Sequence, residues 1–352
     1  MSPITIDVPM PAAPPVRMRR RLAAPCEATL LRPGARRLCR MLGGRGGAAI
    51  LMYHSVPGAD VRPWIDPRNT THPDGFAQQM QLLAAKRRVV PLAEVVAALE
   101  AGRSLAPGTV ALTFDDGYRD QALVAAPVLA ALGLPATFFL ATGAIDRGAP
   151  QWVDELYSIY LTRTASTLDL GAPGPKFDLA EPQAANASHA LAAARLLVAD
   201  DGERQALFAM LRQQLRPTGA PPRCTLDWRE VRELGAHPGF TIGVHTREHL
   251  ALPNRDRARV ATELGRCIAD VRAATGARPE FFSYPYGMSC AMSRQLVAAQ
   301  FRAAVVTGPP SLVGRRADRF ALPRIEAPRD TRLLEFCTSG ANPRLVRRLL
   351  QP

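Results

Sequence analysis

From Ala48 onward the chain alternates short apolar runs with stretches of helical period, and this alternation constrains the fold more than any other feature. Ala48-Ala-Ile-Leu-Met-Tyr53 and Thr109-Val-Ala-Leu-Thr-Phe114 are apolar at nearly every position, so strands made from them have no face to show to water. Further strands are expected over 136–141, 240–245, 281–284 and 303–307, with a short one at Val89-Val90. Helical period marks 74–86, 92–101, 121–132, 256–274 and 293–300. Strands buried on both faces and alternating with helices predict an α/β fold with a parallel sheet, either doubly wound or closed into a barrel.

Between Asp146 and Phe240 the alternation breaks. Residues 152–160 and 190–215 read as helices around a Gly/Pro-rich loop at 171–175, so a helical insertion over about 147–238 is expected within a domain spanning 48–330. Barrel folds place lids and substrate-binding elements at the C-terminal ends of their strands. Residues 1–47 are rich in Pro, Arg and Gly and predict a flexible basic leader, and 331–352 is assigned to a C-terminal tail. Within the leader, 35–42 is either a basic amphipathic turn that touches a membrane surface or part of a solvated tail.

Residues 121–145 carry no charge and are long enough to cross a bilayer. Pro127, Gly133 and Pro135 interrupt them, and an Ala/Leu helical pattern gives way to Thr137-Phe138-Phe139-Leu140, so a helix followed by a buried strand is expected instead. The N-terminus lacks the apolar segment of a secretory signal, which predicts a cytoplasmic protein, at most at the inner membrane face. The formal charge of +13 invites an anionic partner, but only Lys86 and Lys176 among the 44 basic residues are lysines. That bias reads as composition rather than a binding code, and no nucleic-acid-binding signature is present. The six cysteines are widely spaced, without a Cys-x-x-Cys pair, as expected of reduced thiols.

Four constellations can carry chemistry. In Thr113-Phe-Asp-Asp-Gly-Tyr118 a buried strand runs into adjacent carboxylates. On an extended chain these point to opposite sides, so that one can face a metal and the other its water, although Asp and Gly also simply end strands in turns. In His245-Thr-Arg-Glu-His249 the four-residue spacing puts both imidazoles on one side of a helical turn, which suits a divalent metal; two solvated loop histidines are the plain alternative. One carboxylate and two histidines on different strand ends make a facial triad with open positions, catalytic in character. Arg278-Pro-Glu-Phe-Phe-Ser-Tyr-Pro-Tyr-Gly287 ends a strand in a turn that can offer backbone N–H groups to an oxyanion, and Leu51-Met-Tyr-His54 leaves a histidine at the tip of the first strand.

Thr113-Phe-Asp-Asp-Gly-Tyr118, His245-Thr-Arg-Glu-His249 and Tyr284-Pro-Tyr-Gly287, in this order, resemble the motifs of polysaccharide deacetylases of the NodB-homology type, carbohydrate esterase family 4. The resemblance covers about 48–145 and 227–327. It implies a distorted (β/α) barrel and a hydrolase that removes N-acetyl, or sometimes O-acetyl, groups with one divalent metal ion, zinc first and cobalt, manganese or nickel as alternatives. By motif position Asp115 is the general base, Asp116, His245 and His249 are the metal ligands, and Tyr284, Pro285 and Tyr286 form the oxyanion and substrate loop.

Two departures stand out. Ser283 and Tyr284 precede the proline where the family usually has an arginine that tethers the catalytic Asp, and Arg324 in Leu322-Pro-Arg-Ile325 is the candidate substitute. No histidine follows His249, where the common pattern supplies a general acid. Leu51-Met-Tyr-His54 matches the opening strand of the subgroup resembling poly-N-acetylglucosamine deacetylases, whose histidine serves as the acid, so His54 takes that role. The expected partner is an N-acetylated glycan or a lipid-linked sugar, with deformylation or deacylation of the latter, or a silent carbohydrate-binding protein, as competing readings.

Overall fold

The computed structural model describes residues 47–171, 175–308 and 311–340. The leader up to residue 46, its 35–42 turn and residues 341–352 lie outside the described residues. The strands are β1 (Ala48–Tyr53), β2 (Arg88–Val89), β3 (Thr109–Phe114), β4 (Ala136–Leu140), β5 (Thr167–Asp169), β6 (Lys176–Asp178), β7 (Phe240–Val244), β8 (Phe281–Ser283), β9 (Ala303–Val306), β10 (Leu322–Pro323) and β11 (Ile325–Glu326). Helices α1 (Pro73–Lys86), α2 (Leu92–Glu100), α3 (Ala126–Ala131), α4 (Thr142–Arg147), α5 (Trp152–Leu161), α6 (Pro182–Val198), α7 (Asp201–Leu215), α8 (Trp228–Ala236), α9 (Arg257–Thr275), α10 (Ala291–Ala298) and α11 (Thr331–Cys337) accompany them.

The main sheet runs β10-β9-β8-β7-β4-β3-β1-β11, with β2 beside β3 and every pair parallel. β10 and β11 occupy the two ends of this path yet are separated only by Arg324. Residues 322–326 therefore pair with β9 through their first half and with β1 through their second, which closes the sheet into the distorted (β/α) barrel the resemblance implied.

Strand alternation divides the buried residues between two layers. Leu51, Leu112, Phe114, Phe138, Val244 and Ile325 pack outward under the helices. Ile50, Ala111, Phe139, Phe281, Val305 and Leu322 point inward and fill the barrel, joined by Val95 and Val96 of α2. Gly243 belongs to the inward set because no side chain fits there: a Cβ would stand 2.6 Å from the Phe139 ring and 3.0 Å from the Phe281 carbonyl.

Several elements differ from the sequence expectation. The stretch 190–215 is not one helix: it breaks at Ala199, and Asp200 starts α7 by accepting from the Glu203 N–H at 2.8 Å while the Glu203 carboxylate accepts from Asp200 N–H at 2.9 Å. The Gly/Pro-rich loop is flanked by the antiparallel pair β5 and β6. α8, inside the expected insertion, packs Val231 and Leu234 into the outer layer of the barrel, and α11, inside the expected tail, buries Leu334, Phe336 and Cys337 there. The insertion proper has its own core, including Trp152, Leu156, Leu196 and Phe208. Among the described residues no helix is long and apolar enough to cross a membrane, and the uncharged 121–145 run is divided among a π-helical turn at Gln121–Ala125, α3, β4 and α4.

Candidate functional site

Inward positions at the C-terminal ends of the strands bring the motifs together. Asp115 and Asp116 follow β3, His245 follows β7, His54 follows β1, and Ser283 ends β8. Asp115, Asp116, His245 and His249 are each at most 6% exposed, so they share one dry environment.

Two local expectations need correction. Asp116 has φ 74°, so Asp115 and Asp116 are not consecutive residues of an extended chain. The left-handed turn swings both carboxylates toward His245, whose Nε2 is 3.9 Å from Asp115 Oδ2 and 3.5 Å from Asp116 Oδ1. The 245–249 segment is also no helical turn, since Thr246 (φ 61°) and His249 (φ 49°) are left-handed. Tertiary bonds hold this loop: Glu263 on α9 accepts the N–H groups of Arg247 and Glu248 at 3.0 and 2.9 Å, and the Arg247 carbonyl accepts from Gly143 at 2.8 Å. The imidazoles still meet, with their Nε2 atoms 3.1 Å apart.

Asp116, His245 and His249 offer ligand atoms that all lie within 4.8 Å of one another. His245 Nδ1 is 2.8 Å from the Ser283 carbonyl, which can only accept, so Nδ1 carries the hydrogen and Nε2 an electron pair. Burial pushes the His245 pKa down to about 4, against the opposing pull of Asp115 and Asp116, and the ring is neutral at pH 7. Burial tends to raise the Asp116 carboxyl, but the neighbouring His249, His54 and His245 outweigh it and hold the group well below the usual carboxylate range. Asp116 Oδ1 is nonetheless buried without a hydrogen-bond partner among the described residues. An ionised carboxylate oxygen with no donor, facing imidazole nitrogens, is a donor set that fits a divalent cation.

Asp115 is held differently. Arg324 Nη1 and Nη2 donate to its two oxygens at 2.7 and 2.5 Å, Nη2 also donates to Ser283 Oγ at 2.9 Å, and Ser283 Oγ donates to Asp115 Oδ2 at 3.3 Å. The guanidinium carbon lies 5.8 Å from the centre of the Phe139 ring, which forms the floor beneath it. Burial would raise the Asp115 carboxyl; the Arg324 charge and hydrogen bonds outweigh it and hold the group below the usual range. Ser283 thus stands where the usual arginine is absent and bridges to the arginine between β10 and β11.

His54 lies within electrostatic reach of both carboxylates. Its position is fixed through the backbone: Gln121 Nε2 donates to the carbonyls of His54 and Asp115 at 2.9 and 2.5 Å, and Asp120 accepts from Ser55 Oγ at 2.5 Å and Val56 N–H at 2.9 Å. Sequence reasoning missed Gln121 and Asp120, although they follow the Asp-Asp-Gly motif within one helical turn.

The turn after β8 divides its residues. Tyr286 (φ 58°) faces the site; no acceptor for its N–H is found among the described residues, and its hydroxyl is 2.8 Å from His249 Nδ1. The hydroxyl contact was not foreseen. Pro285 is buried between them. Tyr284 turns away: its ring packs on Phe282 in the outer layer and its N–H donates to the Val305 carbonyl at 3.1 Å, so neither faces the carboxylates.

The polysaccharide deacetylase family profile matches residues 102–303, more than half of the chain. This chain belongs to the polysaccharide deacetylase family. The matched span includes Asp115, Asp116, His245, His249 and Tyr286 but neither His54 nor Arg324, which the barrel brings in from outside it. In fold the deacetylase is similar to PplD of Streptococcus pyogenes, with TM-score 0.54 and 17% identity over 87% of this chain and 99% of that one. It is similar also to IcaB from Ammonifex degensii, with TM-score 0.54 and 20% identity over 84% and 98% of the two chains. A de-N-acetylase from Aggregatibacter actinomycetemcomitans gives TM-score 0.52 and 15% identity over 82% and 99%. No curated protein matches the chain.

Proposed function

We propose that this family member is a metal-dependent hydrolase that removes N-acetyl groups from a glycan, with the barrel, α8 included, as its catalytic unit and the helical segment between α4 and α8 inserted into it. The observation that carries the reading is the pairing of two differently held carboxylates. Asp115 is saturated by Arg324, while the adjacent Asp116 presents an oxygen without a donor beside two imidazoles.

Asp116, His245 and His249 would hold the ion. When bound there, it supplies Lewis acidity that acidifies a water and polarises the acetamide carbonyl. Asp115, kept ionised by Arg324, takes the proton of the attacking water; a carboxylate of depressed pKa suits a water already acidified. The Tyr286 N–H donates to the oxyanion that develops on the carbonyl oxygen. His54, at the open end of β1, delivers a proton to the departing amine, a step matched to an imidazole. The closed barrel below, filled by Phe139, excludes water from the carboxylate pair.

The deciding experiment measures metal content of the purified chain together with acetate release from N-acetylglucosamine oligomers, for the wild type and for His245→Ala. Near one zinc or similar ion per chain, with acetate released and both lost in the variant, is the expected result. Formate released from a formylated, lipid-linked sugar in place of acetate would redirect the substrate assignment, and sugar binding without any product would overturn hydrolysis.

A further inference from the structure

Tyr286 belongs to two structures at once. Its hydroxyl sits 2.8 Å from His249 Nδ1, while its ring packs against the insertion core formed by Trp152, Leu156 and Phe208. Trp152, the first residue of α5, donates its indole N–H to the same hydroxyl at 2.7 Å, and the guanidinium of Arg204 on α7 lies 5.3 Å over the indole ring. The hydroxyl has a third neighbour, the His249 carbonyl at 3.3 Å.

With His249 Nε2 left to the cation, donor and acceptor accounting gives one assignment. An indole N–H can only donate, so it occupies one electron pair of the phenol oxygen. A carbonyl can only accept, so it takes the single phenol hydrogen. His249 Nδ1 then faces the remaining electron pair and must carry a hydrogen, which leaves Nε2 as an electron pair. His245 reaches the same state through the Ser283 carbonyl. The two ligating histidines are thus set by different parts of the protein, one by the barrel and one by the insertion.

We propose that the helical insertion sets the metal affinity of the centre: Trp152 positions the Tyr286 hydroxyl, and that hydroxyl fixes the ring and tautomer of His249 so that Nε2 points at the cation. This rests on the metal-site reading above and assigns Tyr286 a side-chain function separate from its backbone N–H. Tyr286 and Trp152 are positioning residues, since they act through His249.

Titration of the metal-free full chain with cobalt, followed by its visible absorption, tests this for Tyr286→Phe, Trp152→Phe and the double variant. Tyr286→Phe keeps the ring and removes the oxygen, and its cobalt dissociation constant is expected to rise about tenfold or more. Trp152→Phe should raise the constant by a smaller factor and add nothing in the Tyr286→Phe background. The melting temperature of the metal-free proteins reads packing loss separately and should be nearly unchanged for Tyr286→Phe. Wild-type cobalt affinity in Tyr286→Phe would overturn the proposal, as would an undiminished Trp152→Phe effect in the double variant. A wild type that binds no cobalt would instead overturn the metal-site reading beneath it.

Discussion

Arg324 and Asp115 lie 209 residues apart and meet inside the barrel through two hydrogen bonds of 2.7 and 2.5 Å. Side-chain exposures of 0% and 2% leave neither group another way to be solvated. Such a pair is no guarantee of stability, because desolvation offsets its attraction, but breaking it leaves a buried charge uncompensated.

Replacing Arg324 therefore tests both stability and chemistry. Arg324→Met should cost about 3–5 kcal/mol in urea unfolding, the range for removing one partner of a buried pair. Because Arg324 opposes the upward pull of burial on Asp115, its loss should also move the acidic limb of the activity profile to higher pH. Asp115→Asn combined with Arg324→Met should recover part of the lost stability. An Arg324→Met protein with wild-type stability and an unshifted acidic limb would remove the tether.

Asp115 and His54 are assigned to proton transfer, not to holding the ion. Asp115→Asn and His54→Ala should each retain about one metal per chain and lower turnover on the order of 100-fold or more, the scale of general acid–base assistance. Atomic absorption and acetate release on the same samples check this. Full activity in either variant would sink that residue's role.

A buried carboxyl beside the site, within electrostatic reach of Asp116, governs part of the pH dependence. Asp154 accepts from the Tyr118 hydroxyl at 2.8 Å and from Asp66 N–H at 3.4 Å, and burial raises its pKa to about 7. A raised folded-state pKa means that the folded protein binds the extra proton. Its contribution to stability is present below the unfolded value and is lost as pH rises from about 4 to about 7. The stability of the wild type minus that of Asp154→Asn should fall with rising pH, at most by about 1.4 kcal/mol per unit. Urea unfolding at pH 5, 6 and 7 measures it, and a difference that stays flat or grows would contradict the assignment.

Gly287 makes a backbone prediction. It has φ 67°, and a Cβ there would collide with the Thr307 carbonyl oxygen. Gly287→Ala should destabilise by at least about 1–3 kcal/mol from strain alone and loosen the turn that carries Tyr286. Thermal unfolding of the metal-free variant reads the first effect; a melting temperature equal to wild type would show that the turn can move.

Much of this was legible before the fold was known. The apolar runs specified β1, β3, β4, β7, β8 and β9 because continuous burial leaves few alternatives to a covered parallel strand. Asp115, Asp116, His245 and His249 were legible because their residue types and strand-end positions are unusual together. Their conformation was not: a four-residue spacing reads as a helical turn, whereas Glu263 and Gly143 impose left-handed residues on the 245–249 loop. β10 and β11 had no periodic signal, being two residues each around Pro323 and Arg324, and they exist because β9 and β1 leave edges to be paired.

By itself the sequence determined that this chain makes an α/β sheet of buried strands and which electron-pair donors stand at the strand ends, since both follow from local pattern. Tertiary structure alone decided which arginine meets Asp115, which backbone ties place His54, and which hydroxyl meets His249. Those pairings span 209, 67 and 37 residues. They are created by barrel closure and by the docking of the insertion, and no local preference of the chain encodes contacts between segments so far apart.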